Sequence, residues 1–322
     1  MDPAVAIRRA TSEAELVALA AVVNAVTPDD PTSLEELHWI DTTYPGGVRY
    51  LAELDGRAVG AAIVGRIFVY PPDHPDLWAS IVVDPTARRR GIGSAFLQAL
   101  SDEGRRRGKR GLQFRAWDGR PEGIDFLRRR GFVELERARM VRLELAGLAI
   151  PAVDLPEGIV LSDLGQRPDL VAGVHAVAVA AFDDIPGGDT PMAPGDLAEF
   201  RARDVDRPGI PQDGFMLALD PDRGEVVGYA SLMLIPGSTT VAWHDMTAVL
   251  PAWRGRGIAT ALKRATIAWA IEHGLTALET GNDEENAGMR AVNARLGYAP
   301  LPDEVTMRGP LVDSGPAAEA AS

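Results

Sequence analysis

The sequence contains no cysteine, and this absence excludes several kinds of chemistry. Without a thiol the chain forms no disulfide, offers no thiolate to a metal and cannot form a cysteinyl covalent intermediate. Long apolar runs are also missing, since none approaches the roughly 18 residues that a membrane span needs. No apolar core follows the acidic amino terminus either. We therefore expect a cytoplasmic protein without a membrane partner.

Basic charge is scarce, because 33 lysines and arginines face 46 acidic residues and give a net charge of −13. This balance argues against a nucleic-acid partner. Two arginine triplets, Arg105–Arg107 and Arg128–Arg130, follow predicted helices, where cations complement the helix dipole, and we expect solvated helix ends there. The five histidines lack metal-ligand spacing, so we expect no metal.

What the sequence does contain is a strand, a glycine-rich turn and a helix in succession. A β-branched run ends at Val249, Pro251 cannot continue a ladder, and an amphipathic helix follows from 258 to 271. The first amides of a helix have no internal partner and carry partial positive charge. The glycines let a ligand approach the backbone, which predicts a diphosphate cradle. Its residues are Arg254, Gly255, Arg256, Gly257, Ile258 and Ala259.

Two familiar nucleotide-binding motifs fit this turn badly. No Gly-Lys-Ser/Thr closes it, and no Gly-x-Gly-x-x-Gly is present. The spacing Arg254-x-x-Gly257-x-Ala259 matches instead the signature Arg/Gln-x-x-Gly-x-Gly/Ala, and in this the chain resembles the GNAT acyltransferase superfamily. The resemblance implies acetyl-CoA as the cofactor. It also implies an α/β (α+β) fold, a mixed, mainly antiparallel twisted sheet flanked by helices.

The pattern occurs twice. Arg254 follows Arg88 by 166 positions, and Gly297 follows Gly131 by the same number, which predicts a duplication. We expect two tandem GNAT-like domains, at 1–147 and 156–310, and a flexible tail at 311–322. The layout resembles that of the mycothiol synthase family. A monomer with its two domains as an internal pseudo-dimer and a homodimer both remain open.

In the resembling family the strand before the cradle splays from its neighbour, and the pantetheine arm of acetyl-CoA pairs with it. The resemblance places Thr247 and Val249 at this strand in the second copy. The first copy repeats the cofactor site in a further set of positions. These are Ile81, Val83, Arg88, Arg89, Arg90, Gly91 and Gly93.

Transfer to an amine needs a base, and the second strand offers Asp245 next to His244. A polar pair in an apolar strand needs hydrogen-bond partners or a role. Alternation places the two side chains on opposite faces of the sheet. We predict Asp245 as base or ammonium anchor, with a structural role as the alternative, and keep His244 as a second catalytic candidate. The first copy has no acid at 77–79, so we expect it to be degenerate or structural.

Family members often carry an asparagine that contacts the cofactor and a tyrosine that protonates the departing thiolate. Asn286 matches the asparagine, but Asn293 occupies the tyrosine position and cannot deliver a proton. Tyr298 is the remaining catalytic candidate, with a packing aromatic as the alternative. In the first copy Arg120 and Leu127 stand at the two positions.

The loop after the second copy's first helix is the predicted acceptor site. Phe182, Asp183 and Asp184 could hold a cationic acceptor there, with a solvated loop as the alternative. The sequence thus predicts an N-acetyltransferase that moves acetyl from acetyl-CoA to a primary amine of a small molecule by direct attack. Two alternatives remain, a non-catalytic acyl-CoA sensor or scaffold and a protein lysine or amino-terminal acetyltransferase.

Overall fold

The structure is a computed structural model, and it describes residues 5–182 and 195–313. In chain order its elements are β1 (Ala6–Arg9), α1 (Glu13–Val26), α2 (Leu34–Thr43), β2 (Val48–Leu54), β3 (Arg57–Gly65), β4 (Asp76–Val83), α3 (Ile92–Arg106), β5 (Gly111–Trp117), α4 (Pro121–Arg128), β6 (Val133–Glu144), β7 (Val160–Asp163), α5 (Val171–Phe182), α6 (Leu197–Phe200), β8 (Met216–Asp220), β9 (Glu225–Leu234), β10 (Val241–Val249), α7 (Ile258–Glu272), β11 (Ala277–Asp283), α8 (Ala287–Arg295), β12 (Ala299–Pro300) and β13 (Glu304–Pro310). Among the described residues, no helix is long and apolar enough to cross a membrane.

Local signals in the sequence fix several of these boundaries. Helix α1 begins at a capping box in which Glu15 accepts from the Ser12 amide at 2.8 Å. Strands β2 and β3 meet at Asp55 and Gly56, both with positive φ, as a tight hairpin turn requires.

The chain forms two compact units, and the first consists of residues up to 136 together with those from 305 onward. Its strands run in the order β1-β2-β3-β4-β5-β13. The pairs from β1 to β4 are antiparallel, whereas β4 and β5 are parallel. Helix α3 buries Phe96, Leu97 and Leu100 on one face of the sheet, and α1 packs Leu16 and Leu19 on the other.

The second unit comprises residues 137–304 and repeats this arrangement. Its strands run in the order β7-β8-β9-β10-β11-β6, and β10 and β11 form the parallel pair. Helix α7 covers one face with Ile258, Leu262 and Ile267, while α5 covers the other with Val174 and Val177. Both units are therefore mixed, mostly antiparallel sheets between helices, as the sequence predicts.

In each unit, the last strand of the sheet comes from the other half of the chain. Val305 and Met307 of β13 are fully buried in the core of the first unit. Leu143 of β6 is buried in the core of the second. The bounds of the two compact units thus differ from 1–147 and 156–310, the bounds predicted for the two copies of the repeat. Those predicted bounds stay a prediction. Alternation of apolar residues shows that these strands are buried, but does not show beside which neighbour.

Candidate active site

In the second unit, strands β10 and β11 pair and then separate. Their parallel pairing runs from Val241 opposite Ala277 to Trp243 opposite Glu279. Strand β10 then continues to Val249. Main-chain groups on this edge of β10 consequently face a gap, and buried amides and carbonyls of that kind need a partner.

Strand β10 carries a β-bulge beside this gap. Its pairing with β9 is in register up to His244 and resumes with a shift at Thr247, so that Asp245 and Met246 together face one residue of β9. Its counterpart β4 pairs with β3 without a shift from residue 78 to 83. A bulge re-aims the side chains next to it. The second unit therefore has a local geometry that the first unit lacks.

The loop after β10 leads into the start of α7 and forms an open cradle. Gly257 is the N-cap of α7, and its backbone lies in the left-handed region at φ 86°. Gly255 also has a positive φ. A β-carbon at either glycine would meet no protein atom within 4 Å. Among the described residues, no side chain caps the amides at the start of α7. This shape fits the diphosphate of a nucleotide.

The two arginines of the cradle are held by the loop itself. Arg254 donates from Nε to the Val249 carbonyl at 3.0 Å. Arg256 lies over the Trp253 ring, 4.7 Å from its centroid, and donates to the Ala252 carbonyl at 3.2 Å. These contacts fix two cationic groups beside the mouth of the helix, where they add to the field of its amides.

The first unit repeats the cradle with one difference. Gly91 caps α3 at φ 82°, and Arg88 donates from Nε to the Val83 carbonyl at 3.2 Å. At the position of Gly255, however, it has Arg89, which adopts φ 64°. A left-handed arginine costs on the order of 1 kcal/mol. The loop geometry is therefore maintained in the first unit even without its glycine.

This first-unit cradle opens into a cavity of about 720 Å³. The cavity lies where β4 runs past the end of its pairing with β5, between that strand, the loop and α4. Its wall is basic, with six arginines and two acidic residues, Glu122 and Asp125. The predicted cofactor residues in its wall are Ile81, Val83, Arg88, Arg89, Gly91 and Gly93; Arg90 is exposed and is not part of the wall. Its other arginines are Arg115, Arg120, Arg129 and Arg130.

The helix end at 128–130 is solvated at Arg128 and Arg129, as expected, whereas Arg130 is partly buried. Its guanidinium lies 3.7 Å from the centroid of Phe126 and donates to Ser94 Oγ at 2.7 Å. Burial, together with the charge of Arg129, lowers the pKa of Arg130. The sequence spacing gave no sign of this, because only the packing of α4 against the start of α3 brings Arg130 to the cavity.

Asp245 lies on the α5 face of the second unit. It accepts from Ser231 Oγ at 3.4 Å and from the Met246 amide, and burial raises the pKa of its carboxyl. The charges of Arg207 and Arg203 act in the opposite direction. An aspartate with a raised pKa beside a strand gap is suited to accept a proton.

His244 lies on the opposite face, under α7, as alternation predicts. It is fully buried, and its Nδ1 is 2.7 Å from the Tyr298 hydroxyl. Its Nε2 is 3.0 Å from Thr266 Oγ1. Burial, reinforced by the charge of Lys263, lowers the pKa of His244 well below its usual value. The structure thus brings His244 and Tyr298 together in the core and separates both from Asp245.

Two buried polar atoms beside the gap have no hydrogen-bond partner among the described residues. One is Oδ1 of Asn293, whose Nδ2 donates to Asn282 of β11 at 2.5 Å. The other is Oγ1 of Thr247. Thr247 stands two residues before Val249, which packs under α7, so alternation places its hydroxyl on that face. Leaving such groups unsatisfied costs about 1–3 kcal/mol each, so a polar ligand between them would be stabilised.

The remaining predicted residues fall at two helix ends. Asn286 is the N-cap of α8, and its side chain accepts from the Met289 amide at 3.1 Å. Phe182 is the half-buried last residue of α5. Asp183 and Asp184 lie outside the described residues.

These features define a class of protein, one that holds a nucleotide thioester between splayed strands at a helix start. Comparison with protein-family models agrees, because residues 17–132 and 185–298 each match the acetyltransferase (GNAT) family. The chain belongs to this family, with two GNAT domains in tandem. The predicted enzyme class and cofactor are thereby confirmed: it is an N-acetyltransferase that uses acetyl-CoA.

Among curated proteins the chain is similar to several mycothiol acetyltransferases. That of Nocardia farcinica is 30% identical over 295 residues, which cover 89% of each chain. That of Rhodococcus erythropolis is 27% identical over 259 residues, covering 79% of this chain and 82% of its relative. The similarity extends over most of both proteins and so includes both domains.

Solved structures show the same fold. A tandem GNAT protein from the clavulanic acid biosynthesis pathway is 20% identical, with a TM-score of 0.78 over 97% of this chain and 100% of its own. A GCN5-related N-acetyltransferase from Sphaerobacter thermophilus, also 20% identical, has a TM-score of 0.71 over 97% of each chain. The prediction of a tandem GNAT architecture is confirmed.

Proposed function

We propose that the second unit transfers an acetyl group from acetyl-CoA to a primary amine of a small molecule, by direct attack with both substrates bound. One observation carries this proposal: the bulge of β10 puts Asp245 beside the strand gap, directly before an open helix cradle. The first unit has the cradle but neither the bulge nor an acid at this point.

The residues of the second unit fit the cofactor. Gly255 and Gly257 leave room for a diphosphate in front of the amides of α7. The free edge of β10, Oγ1 of Thr247 and Oδ1 of Asn293, two side-chain atoms without a partner among the described residues, suit an arm that carries amide groups. Acetyl-CoA supplies an activated acetyl group when it is bound there.

Asp245 is the proposed base. An amine attacks only in its neutral form, so a proton must leave the substrate ammonium. Burial raises the pKa of Asp245, which makes its carboxylate a stronger proton acceptor than an exposed aspartate. Ser231 and the Met246 amide hold the carboxylate at the bulge. Asn293 donates or accepts a hydrogen bond at the tyrosine position and delivers no proton.

The first unit is proposed to bind CoA without transferring the acetyl group. Its cavity has an open helix start and several guanidiniums that suit phosphate groups. Leu127 stands where the second unit has Asn293, and no acid lies on β4 beside the gap. Such a site has the means to hold the cofactor but lacks an acid at the position that Asp245 occupies in the second unit.

A small-molecule acceptor is supported by the name of the relatives, mycothiol acetyltransferase. An amine precursor of mycothiol therefore belongs in a panel of acceptors, beside amino acids, amino sugars and a lysine peptide. Phe182, Asp183 and Asp184 remain the predicted acceptor residues. Transfer to the peptide alone would favour the protein-acetylating alternative.

Matched variants of the two cradles test the proposal. Gly257→Val and Gly91→Val place the same branched side chain at φ 86° and 82° in the second and first unit. With isotope-labelled acetyl-CoA, we expect Gly257→Val to abolish transfer and Gly91→Val to preserve it. Calorimetry should find two CoA sites in the wild type and one in each folded variant. Loss of transfer only in Gly91→Val would reverse the assignment of the units.

One observation favours a non-catalytic acyl-CoA sensor as the second candidate. Asn293 replaces the proton donor, and Tyr298 is buried against His244 instead of facing the gap. A sensor would bind CoA at the second cradle and transfer acetyl to no amine in the panel. Label recovered on any acceptor, and lost in Gly257→Val, would exclude this candidate.

A further inference from the structure

A cluster of polar side chains is buried in the second unit between strand β10 and helix α7. His244, Lys263 and Thr266 are each at most 1% exposed, and Tyr298 is 7% exposed. The Lys263 ammonium lies 5.4 Å from the centroid of the Tyr298 ring. Burying this many polar groups is costly unless they are satisfied or serve a function.

Hydrogen-bond directions within the cluster follow from one contact. Thr266 donates its hydroxyl proton to the Lys263 carbonyl at 2.9 Å, so toward His244 it can only accept. His244 therefore donates from Nε2 to Thr266, and its unprotonated Nδ1 accepts from the Tyr298 hydroxyl. This is one neutral tautomer, held at both ring nitrogens.

The first unit provides an internal comparison, because the same positions are apolar there. Strand pairing aligns Trp243 with Trp78, and hence His244 with Ala79. The helix caps Gly257 and Gly91 set the alignment of α7 with α3. The counterparts of His244, Lys263, Thr266 and Tyr298 are Ala79, Leu97, Leu100 and Phe132, all in the core of the first unit. The fold can therefore be packed without the polar cluster.

The cluster and the bulge occur in the same unit. The bulge begins at the residue after His244, and Asp245 is that residue. A ring fixed at both nitrogens restrains the backbone of its own residue, and thus the start of the bulge. We propose that His244, anchored by Tyr298 and Thr266, is a positioning residue that holds the bulge so that Asp245 keeps its orientation in the gap. The inference rests on the proposed role of Asp245 as the base.

A relaxed bulge would change the surroundings of the Asp245 carboxyl. The Met246 amide and Ser231 lower its pKa through hydrogen bonds, and both depend on the local backbone. Loss of either bond would raise the pKa further. The charged groups that face Asp245 from the segment after α6 are Arg203, Asp204 and Arg207, and none of them belongs to the anchor. Tyr229 faces Asp245 from β9 and does not belong to the anchor either.

Two substitutions remove the anchor with little change in volume. Tyr298→Phe deletes the donor to Nδ1 and reproduces the first unit's Phe132, while Thr266→Val deletes the acceptor for Nε2. Thr266→Ser retains the hydroxyl. Tyr50→Phe, which deletes the hydroxyl of a buried tyrosine in the first unit, is the control for loss of a tyrosine oxygen. Cooperative unfolding of each variant would establish that it folds.

We expect Tyr298→Phe and Thr266→Val to lower kcat about tenfold while KM for acetyl-CoA changes less than about twofold. The acidic limb of the pH–rate profile should move to higher pH in both variants. Thr266→Ser and Tyr50→Phe should match the wild type. A merely structural role would lower stability without moving the acidic limb, and wild-type kcat and pH profile in both anchor variants would overturn the proposal.

A measurement independent of turnover separates this inference from the proposed function. Carbon-13 NMR of labelled aspartate in the unliganded protein follows the titration of the Asp245 carboxyl, identified by its loss in Asp245→Asn. We expect the titration midpoint to rise in Tyr298→Phe and to be unchanged in Thr266→Ser. An unchanged midpoint in Tyr298→Phe would overturn the positioning role, even if no acceptor for the wild type were found.

Discussion

At the scale of single residues, burial sets the protonation of the groups around strand β10. It raises the pKa of Asp245 and lowers the pKa of His244 and Lys263, because a low-dielectric environment disfavours the charged form of each. The sequence identified Asp245 and His244 as polar residues on an apolar strand. It did not identify Lys263, since a lysine in a helix is ordinarily solvated.

Replacing Asp245 with asparagine tests the base. The neutral amide cannot accept the substrate proton, so we expect kcat to fall by about two to four orders of magnitude while CoA affinity is retained. Asp206→Asn, at an exposed aspartate paired with Arg201, is the matched control. Initial rates and calorimetric CoA titrations check both variants. Full activity in Asp245→Asn would remove this residue from the mechanism.

The pH dependence of the wild type follows from the same carboxyl. The proposed base, Asp245, would accept a proton as the carboxylate, and burial raises its pKa above that of an ordinary aspartate. Activity should therefore decline as pH falls through this raised pKa, at a higher pH than an exposed aspartate would give. The acidic limb of kcat/KM against pH measures it. If kcat/KM did not decline with falling pH before the protein unfolds in acid, the assignment of Asp245 as the base would be contradicted.

Lys263 links stability to pH. Burial lowers its pKa from 10.5 to about 7, so between these values the unfolded chain binds a proton that the folded chain does not. The free energy of unfolding should therefore rise as the pH rises from about 7 to 10.5. Below this range it should be reduced by the full cost of burying the charged ammonium. We expect Lys263→Met to raise the free energy of unfolding by on the order of 4 kcal/mol at pH 7. The rise of stability with pH in this range should disappear in the variant.

The control for this variant is Lys109→Met. Lys109 lies in the first unit, where its ammonium donates to the carbonyls of Pro72 and His74. Urea unfolding at several pH values would compare the two variants with the wild type. A Lys263→Met variant with the same stability and slope as the wild type would show that its ammonium reaches water in the folded protein.

At the scale of elements, the two copies of the strand–loop–helix motif differ in the bulge of β10 and in Arg89, which stands where the second copy has Gly255. The cradle was predictable, because glycine spacing and helix periodicity are local properties of the sequence. The bulge of β10 was not, because it depends on the register between β10 and β9, and the sequence does not show which residues face each other across a sheet. The proposed division of labour between the units rests on this register.

Helix α8 offers a test of whether Asn286 is a cap or a cofactor contact. Its side chain accepts from the Met289 amide, so Asn286→Ala should lower the free energy of unfolding by about 1 kcal/mol. Asn286→Asp keeps a good cap and should preserve stability. If Asn286 also contacts CoA, both variants should weaken CoA binding. Denaturant unfolding and calorimetry distinguish the outcomes, and unchanged CoA affinity in both would leave only the cap.

At the scale of the whole molecule, the two units exchange their last strands. Met307 of β13 completes the core of the first unit, and Leu143 of β6 completes that of the second. This arrangement means that neither half of the sequence contains all the residues of one compact unit. Separate expression of 1–147 or 156–310 would leave a sheet edge and a core unpaired.

Reciprocal substitutions test the exchange. Met307→Ala should destabilise the first unit by roughly 3 kcal/mol, and Leu143→Ala should destabilise the second by a similar amount. Hydrogen exchange should then become faster in α3 for Met307→Ala and in α7 for Leu143→Ala. The opposite pattern, with Met307→Ala affecting only α7, would show that β13 belongs to the second unit in solution.

By itself the sequence determined the tandem layout, the two helix cradles and the class of donor, and it predicted the candidate base, because each is visible in short motifs of neighbouring residues, one of which occurs twice. Only the tertiary structure decided that His244 and Tyr298 anchor each other in the core, that Arg130 reaches the first cavity and that the terminal strands change units. Those features depend on strand register and helix packing between distant residues. No spacing along one chain specifies such contacts.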